Sequence, residues 1–296
     1  GLTLNMDAGM GIVLFPQHGG DADTLLQRAN IAMYVAKQRK TGFVVYDNNL
    51  DQHSPQRLTL MGELRQGISH DQLLLHYQPK IDSASGKITE VEALVRWRHP
   101  HHGLMQPNDF IPLAERTGLI KPLTQWVLNQ SLKKCQAWQR QGFDISIAVN
   151  LSTQDLLDPE FPDTVVGLLA SYEVEPAQLI LEITESATLG EPVRALEVLR
   201  RLAAAGVRLA IDDFGTGYSS LSYLSKMPIS EIKIDKSFVL GMADKDTDTK
   251  IVRATIDLAH ALGLKVTAEG VEQETVFRNL CEMGCDGLQG SYIGYP

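Results

Sequence analysis

Acidic and amide residues recur where short apolar runs of this sequence end, and their types suit the binding of divalent cations. Glu182 follows Leu-Ile-Leu, and Asp212 and Asp213 follow Leu-Ala-Ile. Glu269 follows Val-Thr-Ala, and Asn150 follows Ile-Ala-Val. Carboxylates gathered without a counter-charge repel one another and lose hydration, and divalent cations relieve both costs. Because the ligands are oxygen atoms, Mg²⁺ or Mn²⁺ is favoured over Zn²⁺. The pattern predicts a metal site.

Two more polar residues occupy similar places, Lys233 in Glu-Ile-Lys-Ile-Asp and Gln289 in Gly-Leu-Gln-Gly. Any one of the acids taken alone is better explained as a helix cap or as the partner of a surface lysine or arginine. The set, drawn from separate strand ends, favours the metal site.

The neighbouring acids Asp212 and Asp213 need a break in their strand. Successive side chains of a regular strand point to opposite faces, so both can serve one site only where the strand gives way to a loop. Phe214 to Gly217 is predicted to supply that loop, because its glycines free the backbone.

The elements that must position these residues alternate between short apolar strands and amphipathic helices. The predicted strands are 73–81, 88–98, 144–151, 178–184, 207–212, 230–235, 265–269 and 286–290. About eight strands alternating with helices predict an α/β fold of the (β/α)₈ TIM-like barrel type, whose strand ends converge on one face. An open doubly wound sheet is the alternative, and the lack of a glycine-rich dinucleotide fingerprint weakens it.

Three of the helices between the strands have clear signals. One runs from Pro122 to Gly142, and a second has Pro192 in its first turn and Gly206 after its end. A third ends at Gly263, and the spacing of its apolar residues predicts a buried face made of Ile251, Ala254, Leu258 and Leu262.

The first 49 residues read as a short α+β fragment that precedes the barrel. Residues 11–16 and 43–46 are predicted strands, and residues 21–40 are a predicted helix with Leu25, Leu26, Ala29, Met33 and Ala36 on one face. Residues 50–70 are predicted as a linker and a helix, and residues 71–296 as the barrel.

Composition limits the kinds of partner. The chain has 296 residues, 44% of them hydrophobic, and a net charge of −9. A protein that binds DNA through its phosphates should be basic, so DNA is excluded as a partner. No apolar run is long enough to span a membrane. Three cysteines cannot close a disulfide framework and fit a reducing cytoplasm; a membrane tether elsewhere in a longer protein stays open.

Several segments together resemble the EAL-domain phosphodiesterases, which act on cyclic di-GMP. The matching segments are VEALVRWRHP with Glu92-Ala93-Leu94, FIPLAERTGLI, AVNLS, LEITES, IDDFGTGYSSLSYL, EIKIDKSFV, TAEGVE and LQG. The resemblance covers about residues 60–296, and it implies that the last helix of such domains lies beyond Pro296. It also implies hydrolysis of cyclic di-GMP to linear pGpG with two Mg²⁺ or Mn²⁺ ions.

The resemblance assigns a role to each matching position. One ion would be held by Glu92, Asn150, Glu182 and Asp212; Asp212 would bridge to a second ion held also by Asp213 and Glu269. Lys233 would touch the attacking water, with Gln289 in support. The ligand would be contacted by Gln78, Leu94 and Arg96, and Glu185 would brace the loop from Asp213 to Ser220. A homodimer through the barrel is a further implication.

The N-terminal fragment resembles the end of a GGDEF diguanylate cyclase domain, notably in RANIAMYVAK at 28–37, with Asn30 where aspartate is usual. Gly19-Gly20-Asp21 is not the cyclase signature, because a helix follows it, so no cyclase activity is expected from this segment. The resemblance also implies an upstream sensory or GGDEF domain in the full protein.

Three other functions compete with the hydrolysis of cyclic di-GMP. A receptor of the same fold would bind the dinucleotide without cutting it, although such receptors usually lack a ligand residue and none is missing here. A different two-metal barrel enzyme would need the same carboxylates but another pocket. A purely structural assembly domain is disfavoured by the acids at the strand ends.

Overall fold

The computed structural model describes residues 9–39, 41–47, 55–188, 191–216 and 224–296. The chain divides into two compact units between Gln66 and Gly67. In the first unit, β1 (Met10–Ile12) and β2 (Phe43–Val45) pair in parallel and α1 (Ala22–Arg39) connects them. Helix α2 (Pro55–Ser69) follows. The buried residues of α1 are Ala32, Val35 and Ala36, whereas Leu26 of the predicted face is exposed.

The second unit is a closed barrel of eight strands. Its strands are β3 (Leu73–Asp82), β4 (Ile88–His99), β6 (Ser146–Leu151), β7 (Leu179–Thr184), β8 (Arg208–Phe214), β9 (Glu231–Ile234), β10 (Lys265–Ala268) and β11 (Gly287–Gln289). The strand order is β3-β11-β10-β9-β8-β7-β6-β4, and the pairing of β3 with β4 closes the ring. A short strand, β5 (Gly103–Met105), pairs with the end of β4. The barrel prediction is confirmed, and the eight predicted strands match within two residues at each end.

The first barrel strand runs against its neighbours. Strand β3 is antiparallel to both β4 and β11, while the other neighbours within the ring are parallel. The five residues between Asp82 and Ile88 form a tight turn in which Gly86 has a φ of +65°. A parallel crossover needs a dozen residues or more, so this connection can only make a hairpin.

Helices surround the parallel strands. They are α3 (Pro107–Thr117), α4 (Ile120–Arg140), α5 (Thr153–Leu156), α6 (Phe161–Tyr172), α7 (Pro192–Ala204), α8 (Lys236–Gly241), α9 (Asp246–Ala261) and α10 (Glu274–Glu282). None of the helices in the described residues is both long enough and apolar enough to cross a bilayer.

The prediction of the buried face of helix α9 is wrong, because the buried residues are shifted by about one position from those predicted. Ile251 is 41% exposed and Leu262 is 39% exposed, whereas Val252, Ile256 and Ala259 are buried. The helix carries apolar residues on two overlapping stripes with spacings of three and four. Periodicity therefore could not decide between them, and packing against the strands selects the stripe led by β-branched residues.

The inside of the barrel is layered. Ala148, Ile180 and Ala210 form a buried apolar cluster, and each lies two residues before a polar residue near the end of its strand. On other strands this layer is charged: Lys80, Glu90 and Glu231 are all less than 9% exposed. Lys80 Nζ lies 2.6 Å from Glu231 Oε1 and also contacts Glu90. Alternation along a strand places residues two apart on one face, so the charged layer lies beneath Glu92 and Lys233.

Candidate active site

A fully buried lysine lies among four carboxylates in the barrel. Lys233 Nζ is 2.6 Å from Glu269 Oε1, 2.7 Å from Glu182 Oε2, 3.3 Å from Asp212 Oδ1 and 3.6 Å from Glu92 Oε2. These residues come from five strands or the residues directly after them, and four of these strands, β7 to β10, are consecutive in the ring. The structure therefore brings Glu182, Asp212 and Glu269, which were expected to converge from strand ends, together with Glu92, which the resemblance supplied.

The second set of acids adjoins the first. One carboxylate oxygen from each of Asp212, Asp213 and Glu269 lies within 4.8 Å of the others, as a shared metal ion would require. Asp213 reaches the site because its own backbone has a φ of +55°, and the pairing of β8 with β9 shifts register between Ile211 and Phe214. The strand is thus irregular at Asp213 itself, within β8 and one residue before the predicted loop from Phe214 to Gly217. Gly217 lies outside the described residues.

Two amide side chains hold the carboxylate of Glu92. Asn150 Nδ2 donates to Glu92 Oε1 at 2.7 Å, and Gln289 Nε2 donates to Glu92 Oε2 at 2.6 Å. An asparagine that donates through its nitrogen presents its carbonyl oxygen elsewhere. The oxygen of Asn150 is therefore the atom available to a cation, in keeping with the predicted ligand role.

The charges of the site do not balance within the protein. Burial favours the neutral amine of Lys233, but the surrounding carboxylates outweigh it and raise the pKa of Lys233 well above its ordinary value. Burial raises the pKa of Glu182 well above its usual range, although Lys233 opposes the shift. Burial and neighbouring acids raise the pKa of Glu269 to about 7 and that of Asp213 to about 6. One ammonium cannot keep all these acids ionised, so the site favours additional cations.

The three residues predicted to contact the ligand lie in different surroundings. Leu94 lines a cavity of about 340 Å³ between β4, α3, α4 and the ends of β6 and β7, and Asn150 borders the same cavity. Arg96 is 8% exposed, and its Nη1 donates to the carbonyl of Val95 at 2.9 Å. Gln78 pairs with Glu92 across the β3–β4 hairpin and accepts a hydrogen bond from Gln289.

Glu185 lies directly after strand β7 and is 5% exposed. Its Oε2 accepts a hydrogen bond from the backbone N–H of Gly215 at 3.1 Å. Gly215 is two residues after Asp213, so this contact holds the start of the loop that the sequence predicted Glu185 to brace. The remainder of that loop, from Gly217 to Ser220, is outside the described residues.

Sequence reasoning missed Asp235. Its carboxyl group is hydrogen-bonded to that of Asp213, and it also accepts from the backbone N–H of Ser237 at 3.0 Å at the start of α8. The signal was present in the sequence: Asp235 stands two residues after Lys233, where alternation keeps it on the same face, and Asp-x-Ser is a helix-cap pattern.

A sequence model of the EAL domain matches residues 61–296, which is well over half of the chain. The chain belongs to the EAL domain family. Membership confirms the resemblance drawn from the motifs and implies dependence on divalent metal ions.

Two curated relatives and one solved structure illustrate the match. The bifunctional diguanylate cyclase/cyclic di-GMP phosphodiesterase MucR of Pseudomonas aeruginosa is 42% identical over 295 residues, which cover 99% of this chain and 43% of MucR. Cyclic di-GMP phosphodiesterase PdeR of Escherichia coli is 38% identical over 288 residues, covering 97% of this chain and 43% of PdeR. The chain thus spans less than half the length of either relative. A structure of the PaMucR phosphodiesterase in complex with c-di-GMP superposes with a TM-score of 0.77 at 45% identity, covering 80% of this chain and 97% of that one.

Replacing Glu185 by alanine in this EAL domain should lower metal-dependent turnover by about 10–100-fold, the range typical of partners that support metal ligands. The carboxylate that anchors the N–H of Gly215 would be lost, while every predicted ligand would remain. Steady-state kinetics measure the effect. Glu191→Ala, which removes an exposed carboxylate just before α7, is the matched control. Wild-type turnover in Glu185→Ala would show that the contact is dispensable.

Without metal ions, the stability of this EAL domain should fall as the pH rises from about 4.5 to about 7. The pKa values of Glu269 and Asp213 are raised to about 7 and about 6, so the folded protein holds protons that the unfolded chain has already released. Urea denaturation in EDTA at pH 5 and pH 7.5 measures the change. Adding Mg²⁺ at pH 7.5 should restore the lost stability. A metal-free protein that gains stability over this range would contradict the shifts.

Proposed function

We propose that this EAL domain hydrolyses cyclic di-GMP to linear pGpG at a site that holds two divalent cations, Mg²⁺ or Mn²⁺. The observation that carries the proposal is the convergence of four carboxylates around a single lysine in the barrel, with two amide side chains on one of those carboxylates. The names of MucR and PdeR, both cyclic di-GMP phosphodiesterases, support the choice of substrate.

The donor set fits two divalent ions. Four carboxylates lie within 3.6 Å of one ammonium, and the carboxyl groups of Asp213 and Asp235 adjoin them, so the protein alone does not balance the negative charge of the ionised site. All the donors are oxygen atoms, which suits Mg²⁺ and Mn²⁺. The proposed ligands of one ion are Glu92, Asn150, Glu182 and Asp212, and those of the other are Asp212, Asp213 and Glu269.

The chain's own residues divide the remaining tasks. The ions, when bound, supply positive charge that stabilises the entering and leaving oxygens of an in-line displacement at phosphorus. Lys233 would orient the water whose oxygen bonds to phosphorus as one ring P–O bond breaks, and a proton of that water would end on the leaving ribose oxygen. Arg96 would leave the carbonyl of Val95 and bind phosphate oxygens of the dinucleotide through its guanidinium group.

The cavity beside Leu94 would take a base of the dinucleotide. Its walls are mostly apolar and include Ile111 and Leu123, so a planar purine can bury its faces there. Asn150 borders the cavity and also holds Glu92, which would place a phosphate next to the ions when the base is bound.

Incubation of the protein with cyclic di-GMP and Mg²⁺, followed by chromatography, tests the proposal. The expected product is linear pGpG, and EDTA should prevent its formation. Tight binding of intact cyclic di-GMP without cleavage would identify a receptor instead. Cleavage of other cyclic or linear dinucleotides in preference to cyclic di-GMP would identify a different two-metal enzyme.

Three statements about the whole protein stay predictions from the sequence. They are the GGDEF origin of the first 49 residues together with an upstream sensory or GGDEF domain, the homodimer through the barrel, and the cytoplasmic location. The free state of Cys135, Cys281 and Cys285 supports the last of these.

A further inference from the structure

Two glutamine side chains join the C-terminal segment of the chain to Glu92 by a line of hydrogen bonds. Gln289 Nε2 donates to Glu92 Oε2 at 2.6 Å and to Gln78 Oε1 at 3.2 Å. Gln78 Nε2 in turn donates to the backbone carbonyl of Gly294 at 3.3 Å. The line thus runs from a backbone carbonyl to an acid at the centre of the site.

The two ends of this line fix the direction of every amide within it. An ionised carboxylate and a backbone carbonyl only accept hydrogen bonds. Gln289 must therefore turn its NH₂ group toward Glu92, and the second hydrogen of that group needs an acceptor. Gln78 supplies one only when its own NH₂ group faces Gly294, because the flipped amide would set two NH₂ groups against each other.

The carbonyl at the far end is held in place by the surrounding backbone. The N–H of Gly294 donates to the carbonyl of Gly290 at 3.0 Å, and the N–H of Tyr292 donates to the carbonyl of Val271 at 3.0 Å. A Cβ atom on Gly294 would lie 2.7 Å from Cγ of Pro79, the residue after Gln78. Only glycine lets this turn approach strand β3 so closely.

We infer that Gln78 is a positioning residue, which acts through Gln289 to orient Glu92, and that the carbonyl of Gly294 fixes its orientation. This adds an orienting role to the ligand contact that the resemblance implied for Gln78. The inference rests on the proposed function in one respect, namely that Glu92 is a metal ligand.

Titration of the protein with Mn²⁺ alone, followed by calorimetry, tests the inference without substrate. Gln78→Leu removes both hydrogen bonds of the amide and should weaken Mn²⁺ binding by about 10–100-fold, as expected for the loss of a partner that orients a metal ligand. At saturating Mn²⁺, kcat should fall, a change that the loss of a ligand contact alone would not require. Unchanged Mn²⁺ affinity together with an unchanged kcat would overturn the inference.

A double-mutant cycle tests whether the two glutamines act in series. If Gln78 acts through Gln289, then Gln78→Leu combined with Gln289→Leu should bind Mn²⁺ no more weakly than Gln289→Leu alone. Additive losses would mean that the two residues act independently, which contradicts the relay.

Gly294→Ala provides a second variant that leaves both glutamines in place. Its methyl group should push the turn away from Pro79 and weaken Mn²⁺ binding in the same direction as Gln78→Leu. The control is Gln136→Leu, which removes a glutamine on α4 that donates to the carbonyl of Tyr172 at 2.7 Å and belongs to neither the site nor the line of hydrogen bonds. A wild-type protein that binds no Mn²⁺ would contradict the proposed function, whereas variants that bind it like wild type would contradict the inference alone.

Discussion

Replacement of Glu92 by alanine should reduce Mg²⁺-dependent hydrolysis of cyclic di-GMP by about 10³-fold or more, which corresponds to about 4 kcal/mol of lost transition-state stabilisation. The carboxylate of Glu92 is held by Asn150 and Gln289 and lies 3.6 Å from the ammonium of Lys233. Its removal takes away a proposed metal ligand and also leaves both amides without their acceptor. Single-turnover kinetics at saturating Mg²⁺ measure the change.

Glu274→Ala is the control for this experiment, because it removes an exposed carboxylate from α10 that pairs only with Arg278 among the described contacts. Its turnover should equal that of the wild type. If Glu92→Ala hydrolysed the dinucleotide at the wild-type rate with Mg²⁺ present, the assignment of Glu92 as a ligand would be refuted.

Replacement of Lys233 by methionine should destabilise the metal-free protein by about 3–5 kcal/mol, the cost typical of removing one partner from a buried ion pair. Lys233 is fully buried, and its ammonium group is the nearest positive charge to Glu182 and Glu269. Divalent cations would supply the missing positive charge, so Mg²⁺ should stabilise the variant more than it stabilises the wild type. Urea denaturation of the wild type and of the variant, each in EDTA and in Mg²⁺, gives the four free energies of unfolding required.

Lys121→Met is the matched control, since it breaks an exposed ion pair with Asp158 whose two charged atoms lie 2.7 Å apart. Exposed pairs contribute at most about 1 kcal/mol. A Lys233→Met variant that was no less stable in EDTA than Lys121→Met would show that the acids around Lys233 are already neutral.

Much of the architecture could be predicted because hydrophobic runs and turn residues are local signals. The eight barrel strands and the helix that begins at Pro192 could be placed from such signals. The antiparallel direction of β3 follows from the short connection between β3 and β4, which has too few residues for a crossover helix. The pattern of apolar strands does not by itself show this constraint. The buried face of α9 was beyond sequence reasoning, because only contact with the barrel decides which of two apolar stripes turns inward.

The candidate site was predictable to the extent that strand ends of a barrel converge. That rule brings Glu182, Asp212 and Glu269 together without further information, and the structure agrees. Glu92 came from the family motif, since it stands in the middle of a long strand rather than at its end. Asp213 joins the site through a left-handed backbone at a non-glycine residue, a conformation that sequence patterns rarely reveal.

The layered interior of the barrel has a consequence for how the protein responds to heat. Exposure of apolar surface raises the heat capacity on unfolding, whereas exposure of polar surface lowers it. Above and beside the small cluster of Ala148, Ile180 and Ala210, this barrel is filled with charged and amide side chains. The barrel interior therefore adds little to the heat-capacity change of unfolding. The free-energy cost of removing Lys80 and Glu231 from water also falls as the temperature rises. The free energy of unfolding should vary more gently with temperature than that of a barrel filled with branched aliphatic side chains.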